Sequence, residues 1–418
     1  MTTPLAIIGT LYFVYILTKI YISVMEVGYV SKAKHDKPVI LTLKNYIQAA
    51  DYKIATQRME MLSTLVEYML FIFWIGLGLK WLERSIMIED IAMKSVAFVL
   101  AFGAINYLVT LPFDIYKTFV LDKKFGFSNM DAKLYLQDAI KGAVMFILIG
   151  GLITWLIAQI VLNFNNWWIW GFVLIFSIVL LINVFYPTVI APLFNKFTIL
   201  DDVELKTSIE KLLSSVGLHT QGVFTIDASK RDNRLNAYFG GLGKSKRVVL
   251  YDTLIEKLSK HELLAVLGHE LGHFKHKDIL KNIVMTGMLL LAMFAIFGNL
   301  PDVLFESVGI LKTPYAIIAF FMLLSPIISF VYMPLMGMVS RHNEYHADEF
   351  GAACESPVDL ANALQKLANE NKSFPKSHPL SIFFYYTHPP LVERLKRLGM
   401  DIDEGKDDTN LQESLTTR

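Results

Sequence analysis

Seven apolar stretches decide what this chain can fold into. They cover residues 5–24, 62–82, 91–113, 142–161, 167–190, 283–300 and 316–339, each near the roughly 20 residues that cross a bilayer as a helix. The fourth and fifth contain no charge. In lipid every backbone polar group must find its partner internally, so seven such stretches predict seven membrane helices. The whole chain agrees: 418 residues are 54% hydrophobic and only 18% charged, outside the usual range of a soluble domain. Net charge is +1, which gives no electrostatic footprint for nucleic acid. The single cysteine, Cys354, excludes an intrachain disulfide and a cysteine-rich metal cluster.

The first stretch is too long for a signal-peptide core and has no basic segment before it, so it is read as a retained span. Glu67 is the one acid well inside a span, expected to face the protein interior or a wet cavity, with a helix–helix hydrogen bond preferred to a functional role. Pro326 and Pro334 should kink the seventh span or loosen its last turns. Lysines set the orientation. Lys32, Lys34, Lys37, Lys44 and Lys53 lie between spans one and two, and Lys117, Lys123, Lys124, Lys133 and Lys141 between spans three and four. The opposite loops are poorer in them, so the N-terminus is expected outside and residues 191–282 and the C-terminal part in the cytoplasm.

Residues 191–282 form the first sizeable polar segment. A helix is expected over 203–215, strands near 222–227 and 247–251, and a short extended piece at Asn236-Ala237-Tyr238-Phe239-Gly240-Gly241. This is a small α+β module. The expected organisation is membrane helices one to five over 1–190, the module over 191–282, helices six and seven over 283–339, a C-terminal module over 340–400 and a disordered polar tail over 401–418.

Within the module, His269-Glu270-Leu271-Gly272-His273 has the form H-E-x-x-H. Ser259-Lys260-His261-Glu262 is a capping box that starts a helix just before it. Residues four apart share a helix face, so His269 and His273 can aim at one metal ion, and Glu270, about 100° round, can reach a water there. A solvated histidine pair would have charges between its members; here Leu271 and Gly272 stand there. Gly268 and Gly272 each cost about 1 kcal/mol against Ala inside a helix, which makes sense where something approaches closely.

Two histidines leave a catalytic zinc one protein ligand short. Glu344 is the best third ligand. Asp348, four residues on, shares its helical face and can accept a hydrogen bond from a ligand histidine. His342 and His346 are rivals as ligands. Zinc would polarise a carbonyl, and Glu270 would take a proton from water and pass it to a leaving amine, which is peptide hydrolysis.

The H-E-x-x-H stretch, the Glu344…Asp348 pair, Asn236-Ala237-Tyr238-Phe239-Gly240 and His388-Pro389-Pro390 resemble the type I CAAX prenyl protease family of integral-membrane zinc metalloproteases. Leu111-Pro112-Phe113, Phe125-Gly126-Phe127 and Ala191-Pro192-Leu193-Phe194-Asn195-Lys196-Phe197 are similar to that family's segments in the same order. The resemblance implies seven spans walling a water-filled chamber, and one Zn2+ per chain on His269, His273 and Glu344. It implies Glu270 as base and acid, and His388 as a catalytic residue holding substrate or oxyanion, with Arg394 nearby on the substrate. It further implies Asn236, Ala237 and Tyr238 on an edge that pairs with extended substrate. His388 is preferred to His378 because Leu391-Val392-Glu393-Arg394-Leu395 follows it.

The partners so implied are a peptide or protein substrate, prenylated in the eukaryotic members, and the bilayer. The tail has no dilysine signal and the loops look compact, which fits a bacterial inner-membrane member at least as well as one of the endoplasmic reticulum. Two other readings are a membrane quality-control protease of broad specificity and a transporter or channel with structural zinc. Glu270 argues against the transporter, since a structural zinc has no use for a general base. No role is assigned to His276, Lys277 or Asp278.

Overall fold

The computed structural model describes residues 3–218, 220, 222–240 and 246–402; the expected polar tail lies outside them beyond residue 402. Among the described residues, seven helices are long and apolar enough to cross a membrane. They are α1 (Thr3–Ala33), α2 (Leu43–Ser85), α3 (Ile91–Lys124), α4 (Ala132–Asn163), α5 (Trp167–Phe194), α9 (Asp278–Gly298) and α11 (Pro314–Cys354). Six contain a whole expected stretch and most run past it; α9 starts before the sixth stretch, 283–300, and ends two residues short of it. Hydropathy marks the part that lipid requires to be apolar, while the helix continues as long as its backbone bonds are satisfied and its flanks pack. So α2 starts 19 residues before its apolar core, at a Thr42 cap whose hydroxyl accepts from Asn45 N–H.

The outward faces stay apolar. Leu77, Leu148 and Val331 are 71%, 66% and 70% exposed, as lipid-facing side chains should be. Inside, α1, α2, α3 and α11 share a core that includes Tyr12, Phe71, Trp74, Phe98 and Phe320. Glu67 of α2 meets Lys19 of α1 at 3.2 Å, so this acid pairs across the helix interface. Helix α11 continues through Pro326 and Pro334 as one element, so the boundary expected at 339/340 falls inside a helix. The third expected ligand therefore sits on the seventh span's own extension.

The polar module lies between α5 and α9. Its strands are β1 (Phe197–Ile199), β2 (Val223–Ile226), β3 (Ala237–Gly240) and β4 (Arg247–Tyr251), in the order β1-β2-β4-β3. β2 and β4 run parallel, and the outer pairs antiparallel. Helix α6 (Val203–Ser215) buries Leu205, Ile209 and Leu213 in the core shared by the sheet and the H-E-x-x-H helix, the face its 3.6-residue spacing predicts. The short α7 (Asp252–Lys257) leads to α8 (Lys260–Lys275), which carries H-E-x-x-H. α8 starts at the Ser259/Glu262 capping box with both reciprocal bonds made. The remaining helices are α10 (Asp302–Ser307), α12 (Pro357–Glu370), α13 (Pro379–Tyr385) and α14 (Leu391–Arg397).

Helix α8 is buried on nearly every side. Leu263 to His269, Leu271 and Gly272 are all inside. It packs against α11 through three glycines. A Cβ on Gly272 would lie 2.9 Å from Ala347 Cα, and one on Gly351 would lie 2.8 Å from the His269 backbone nitrogen. Gly268 faces Cys354 in the same way. The close approach expected at Gly268 and Gly272 is thus α11 itself.

Candidate active site

The glycine crossing sets the site. Because α8 and α11 nearly touch, short side chains from both reach one point. His269 Nε2 lies 3.5 Å from Glu344 Oε2, and His273 Nε2 lies 3.2 Å from Glu344 Oε1. The two imidazole rings stand at 89° to each other, 4.9 Å apart. One ligand atom from each of His269, His273 and Glu344 falls within 4.8 Å of the other two, so these residues could hold a metal ion.

The surroundings fit a cation. Glu344 is buried, and its Oε2 has no hydrogen-bond partner among the described residues. An orphaned buried carboxylate oxygen is costly unless something positive meets it. Two imidazoles and a carboxylate are a usual donor set for catalytic zinc. Both rings are backed by carboxylates. His269 Nδ1 approaches Asp348 Oδ1 to 2.8 Å, short enough for a hydrogen bond although the ring N–H is not well aligned with the oxygen. His273 Nδ1 lies 2.9 Å from Asp278 Oδ2. Such partners fix ring orientation and raise ligand basicity. Burial disfavours a charge on His273, but Glu344 and Asp278 outweigh it and push its pKa up to about 9. The pocket therefore attracts positive charge.

Asp278 is the member that sequence reasoning left without a role. It reaches back because Lys277 adopts a left-handed conformation, φ 58°, and α9 starts at Asp278. Lys281 anchors it from one turn on, at 2.7 Å. A carboxylate at the first position after a helix-to-helix corner was the available signal.

Glu270 lies beside the ligand set. Burial pushes its carboxyl up from the ordinary range, with the nearby histidines pulling the other way. A raised carboxyl is suited to taking and returning a proton near neutral pH. His388 brings Nε2 to 3.3 Å from Glu344 Oε1, and its side chain is 62% exposed towards a cavity of about 650 Å³. Tyr52, Lys53, Tyr386 and Arg394 also line that cavity.

Arg394, expected on substrate, is turned elsewhere. It is 8% exposed, and its Nε and Nη2 donate to Asp348 Oδ2 and Oδ1 at 2.8 and 2.7 Å. Its Nη1 lies 3.5 Å from Glu344 Oε2. Two buried carboxylates one turn apart demand a buried cation, and the planar guanidinium matches a carboxylate in a bidentate fork. His342 and His346 lie together, with Nε2 atoms 3.2 Å apart, and neither belongs to the Glu344 group.

Among the described residues β3 forms one end of the sheet, bonded to β4. Asn236 is exposed just before it and Ala237 is buried. Tyr238, Phe239 and Gly240 line a cavity of about 390 Å³ with Tyr186 and Pro187 of α5. That leaves an edge strand beside a slot.

Residues 200–400 match Peptidase family M48, and residues 33–196 match the family CAAX prenyl protease N-terminal, five membrane helices. The CAAX prenyl protease 1 homolog of Oryza sativa subsp. japonica is 37% identical over 331 residues, 76% of each chain. CAAX prenyl protease 1 of Saccharomyces cerevisiae is 34% identical, over 75% of this chain and 74% of its own. The Homo sapiens homolog is 32% identical over 73% of each. The crystal structure of S. mikatae Ste24p superposes with a TM-score of 0.88 and 28% identity, covering 96% of this chain and 100% of that one. The chain belongs to peptidase family M48, among the CAAX prenyl protease 1 homologues, and is a multi-pass integral-membrane metalloprotease.

Proposed function

We propose that this protein binds one Zn2+ through His269, His273 and Glu344 and hydrolyses peptide bonds near the cytoplasmic membrane face, with C-terminal CAAX peptides as its substrate class. The observation that carries the reading is the convergence of one atom from each of these residues within 4.8 Å, with the raised Glu270 carboxyl alongside. The rice and yeast relatives, both CAAX prenyl proteases, suggest the CAAX class. The lysine-rich segments between spans one and two and between spans three and four support a cytoplasmic site.

Bound zinc would polarise the scissile carbonyl and make water easier to deprotonate. Glu270 takes that water's proton and delivers it to the leaving amine. Asp348 and Asp278 hold the two imidazoles in orientation, and Arg394 balances the charge of Asp348 and Glu344. His388 donates to the developing oxyanion from the cavity side. Substrate backbone adds to the free edge of β3 at Asn236, Ala237 and Tyr238, which reads backbone and tolerates varied side chains. On this reading five spans precede the β-containing module and two follow it, and together they enclose the chamber in which substrate is held.

The test uses two matched peptides, one ending in a farnesyl-cysteine CAAX sequence and one unmodified, with purified protein in detergent. Cleavage is followed by mass spectrometry before and after chelation and after zinc is added back. The reading expects release of the three C-terminal residues from the farnesylated peptide, loss with chelator and return with zinc. Equal cleavage of both peptides would favour a protease of broad specificity. Cleavage unaffected by chelation would overturn the metal assignment.

A further inference from the structure

Glu26, near the end of α1, is 1% exposed, although a carboxylate is among the costliest groups to bury. Three donors meet it. Lys53 Nζ of α2 lies at 2.5 Å, Ser377 Oγ at 2.6 Å and the His378 N–H at 2.7 Å. Lys53 extends the chain of bonds, donating to Ser377 Oγ at 3.0 Å and to the Tyr386 hydroxyl at 2.9 Å. None of these groups touches the metal-ligand cluster.

What they hold is the seven-residue helix α13. His378 caps its N-terminus and Tyr386 its C-terminus. Glu26 therefore grips the residue at one end, and Lys53 grips the residue at the other. Arg341 of α11 adds a second hold on the C-terminal end, with Nη1 donating to the Ile382 and Tyr386 carbonyls at 3.1 and 2.6 Å. A seven-residue helix is too short to be stable by itself, so its position comes from these contacts. Two residues past Tyr386 stands His388, within about 7 Å of chain. Thr387 Oγ1 lies 3.1 Å from His388 Nδ1, and the other ring nitrogen is the one near Glu344.

We propose that the buried Glu26–Lys53 pair is a positioning device for the reaction: through Ser377, His378 and Tyr386 it fixes α13, and so fixes the imidazole of His388 at the catalytic cluster. Two membrane helices thereby set the geometry of a residue more than 330 positions away in sequence. The proposal rests on the oxyanion role read for His388.

Tyr386→Phe is the least invasive probe, because it removes only the hydroxyl that Lys53 reaches and leaves the Glu26–Lys53 pair intact. Tyr315→Phe is the control: it removes a comparable hydroxyl, bonded to Glu83 at 2.6 Å, at the opposite end of α11. Rates on the farnesylated peptide are measured for both, for His388→Ala, and for Tyr386→Phe combined with His388→Ala. The proposal expects Tyr386→Phe to lower kcat about tenfold with KM unchanged, less than the roughly 10²-fold that a 1 Å misplacement can cost. It expects Tyr315→Phe to be neutral and the Tyr386→Phe loss to vanish in the His388→Ala background. Lys53→Arg should keep most activity, whereas Lys53→Met combined with Glu26→Gln should match Tyr386→Phe. Losses that multiply with that of His388→Ala, or an unchanged kcat in Tyr386→Phe, would overturn it. Full activity in His388→Ala would instead sink the oxyanion reading, and this inference with it.

Discussion

The membrane wall and the α8–α11 crossing are both helix packings, but they tolerate change differently. In the wall, several glycines face aromatic rings, and a Cβ on Gly103 would meet the tip of the Phe146 ring. A ring tip can move. At the crossing, glycines face backbone, with Gly351 against the His269 nitrogen and Gly272 against Ala347 Cα. Backbone cannot yield without moving the ligands it carries. The wall also presents its apolar side chains outward, while the crossing buries Glu344, Asp348, Asp278 and Arg394 together. The lesson is that the wall is specified by composition and the crossing by individual contacts.

The comparison breaks most visibly at Arg394. Arg394→Met leaves the Asp348 and Glu344 carboxylates without their buried partner, and a cost of about 3–5 kcal/mol is expected, read as a lowered Tm in detergent. A Tm within a degree of wild type would mean that bound metal alone balances both acids. Asp278→Asn comes next. It weakens the support behind His273, and metal affinity should fall about 10–100-fold in a chelator competition. An unchanged affinity would show that the 2.9 Å contact is incidental.

Gly351→Ala and Gly103→Ala sharpen the contrast as a matched pair. The first should cost about 1–3 kcal/mol and release metal more readily, since overpacking against backbone separates α8 from α11. The second should cost less and leave metal content alone. Equal effects would erase the distinction between wall and crossing. Leu148→Ala, on the outward side at 66% exposure, should shift stability by no more than about 0.5 kcal/mol.

The same contrast explains what the sequence made legible. Seven spans follow from hydropathy, because lipid imposes one requirement on every residue of a stretch. Their ends do not follow, since α2 and α11 run on into polar sequence where packing decides. His269, His273 and Glu270 are legible from one helix turn, and Glu344 with Asp348 from another. Asp278 is not, because it depends on a left-handed Lys277 turning the chain. Arg394 shows a charge whose partner is 46 residues away, so that the family resemblance suggested its neighbourhood and no local pattern named its target. Strand β1, three residues long, and helix α13, seven, carry too little pattern to stand out. Glu26 and Lys53 pair across two spans and meet a segment over 320 residues away, a relation that no local pattern records.

The central claim is that α8 and α11 build one metal site in which Glu270 carries the proton. Glu270→Ala tests it most directly, with zinc content and peptide cleavage measured on the same purified sample. The account predicts one zinc per chain retained, an unchanged Tm and cleavage of the farnesylated peptide reduced about 10²–10⁴-fold. Cleavage at the wild-type rate, or a loss of cleavage that tracks a loss of zinc, would contradict it.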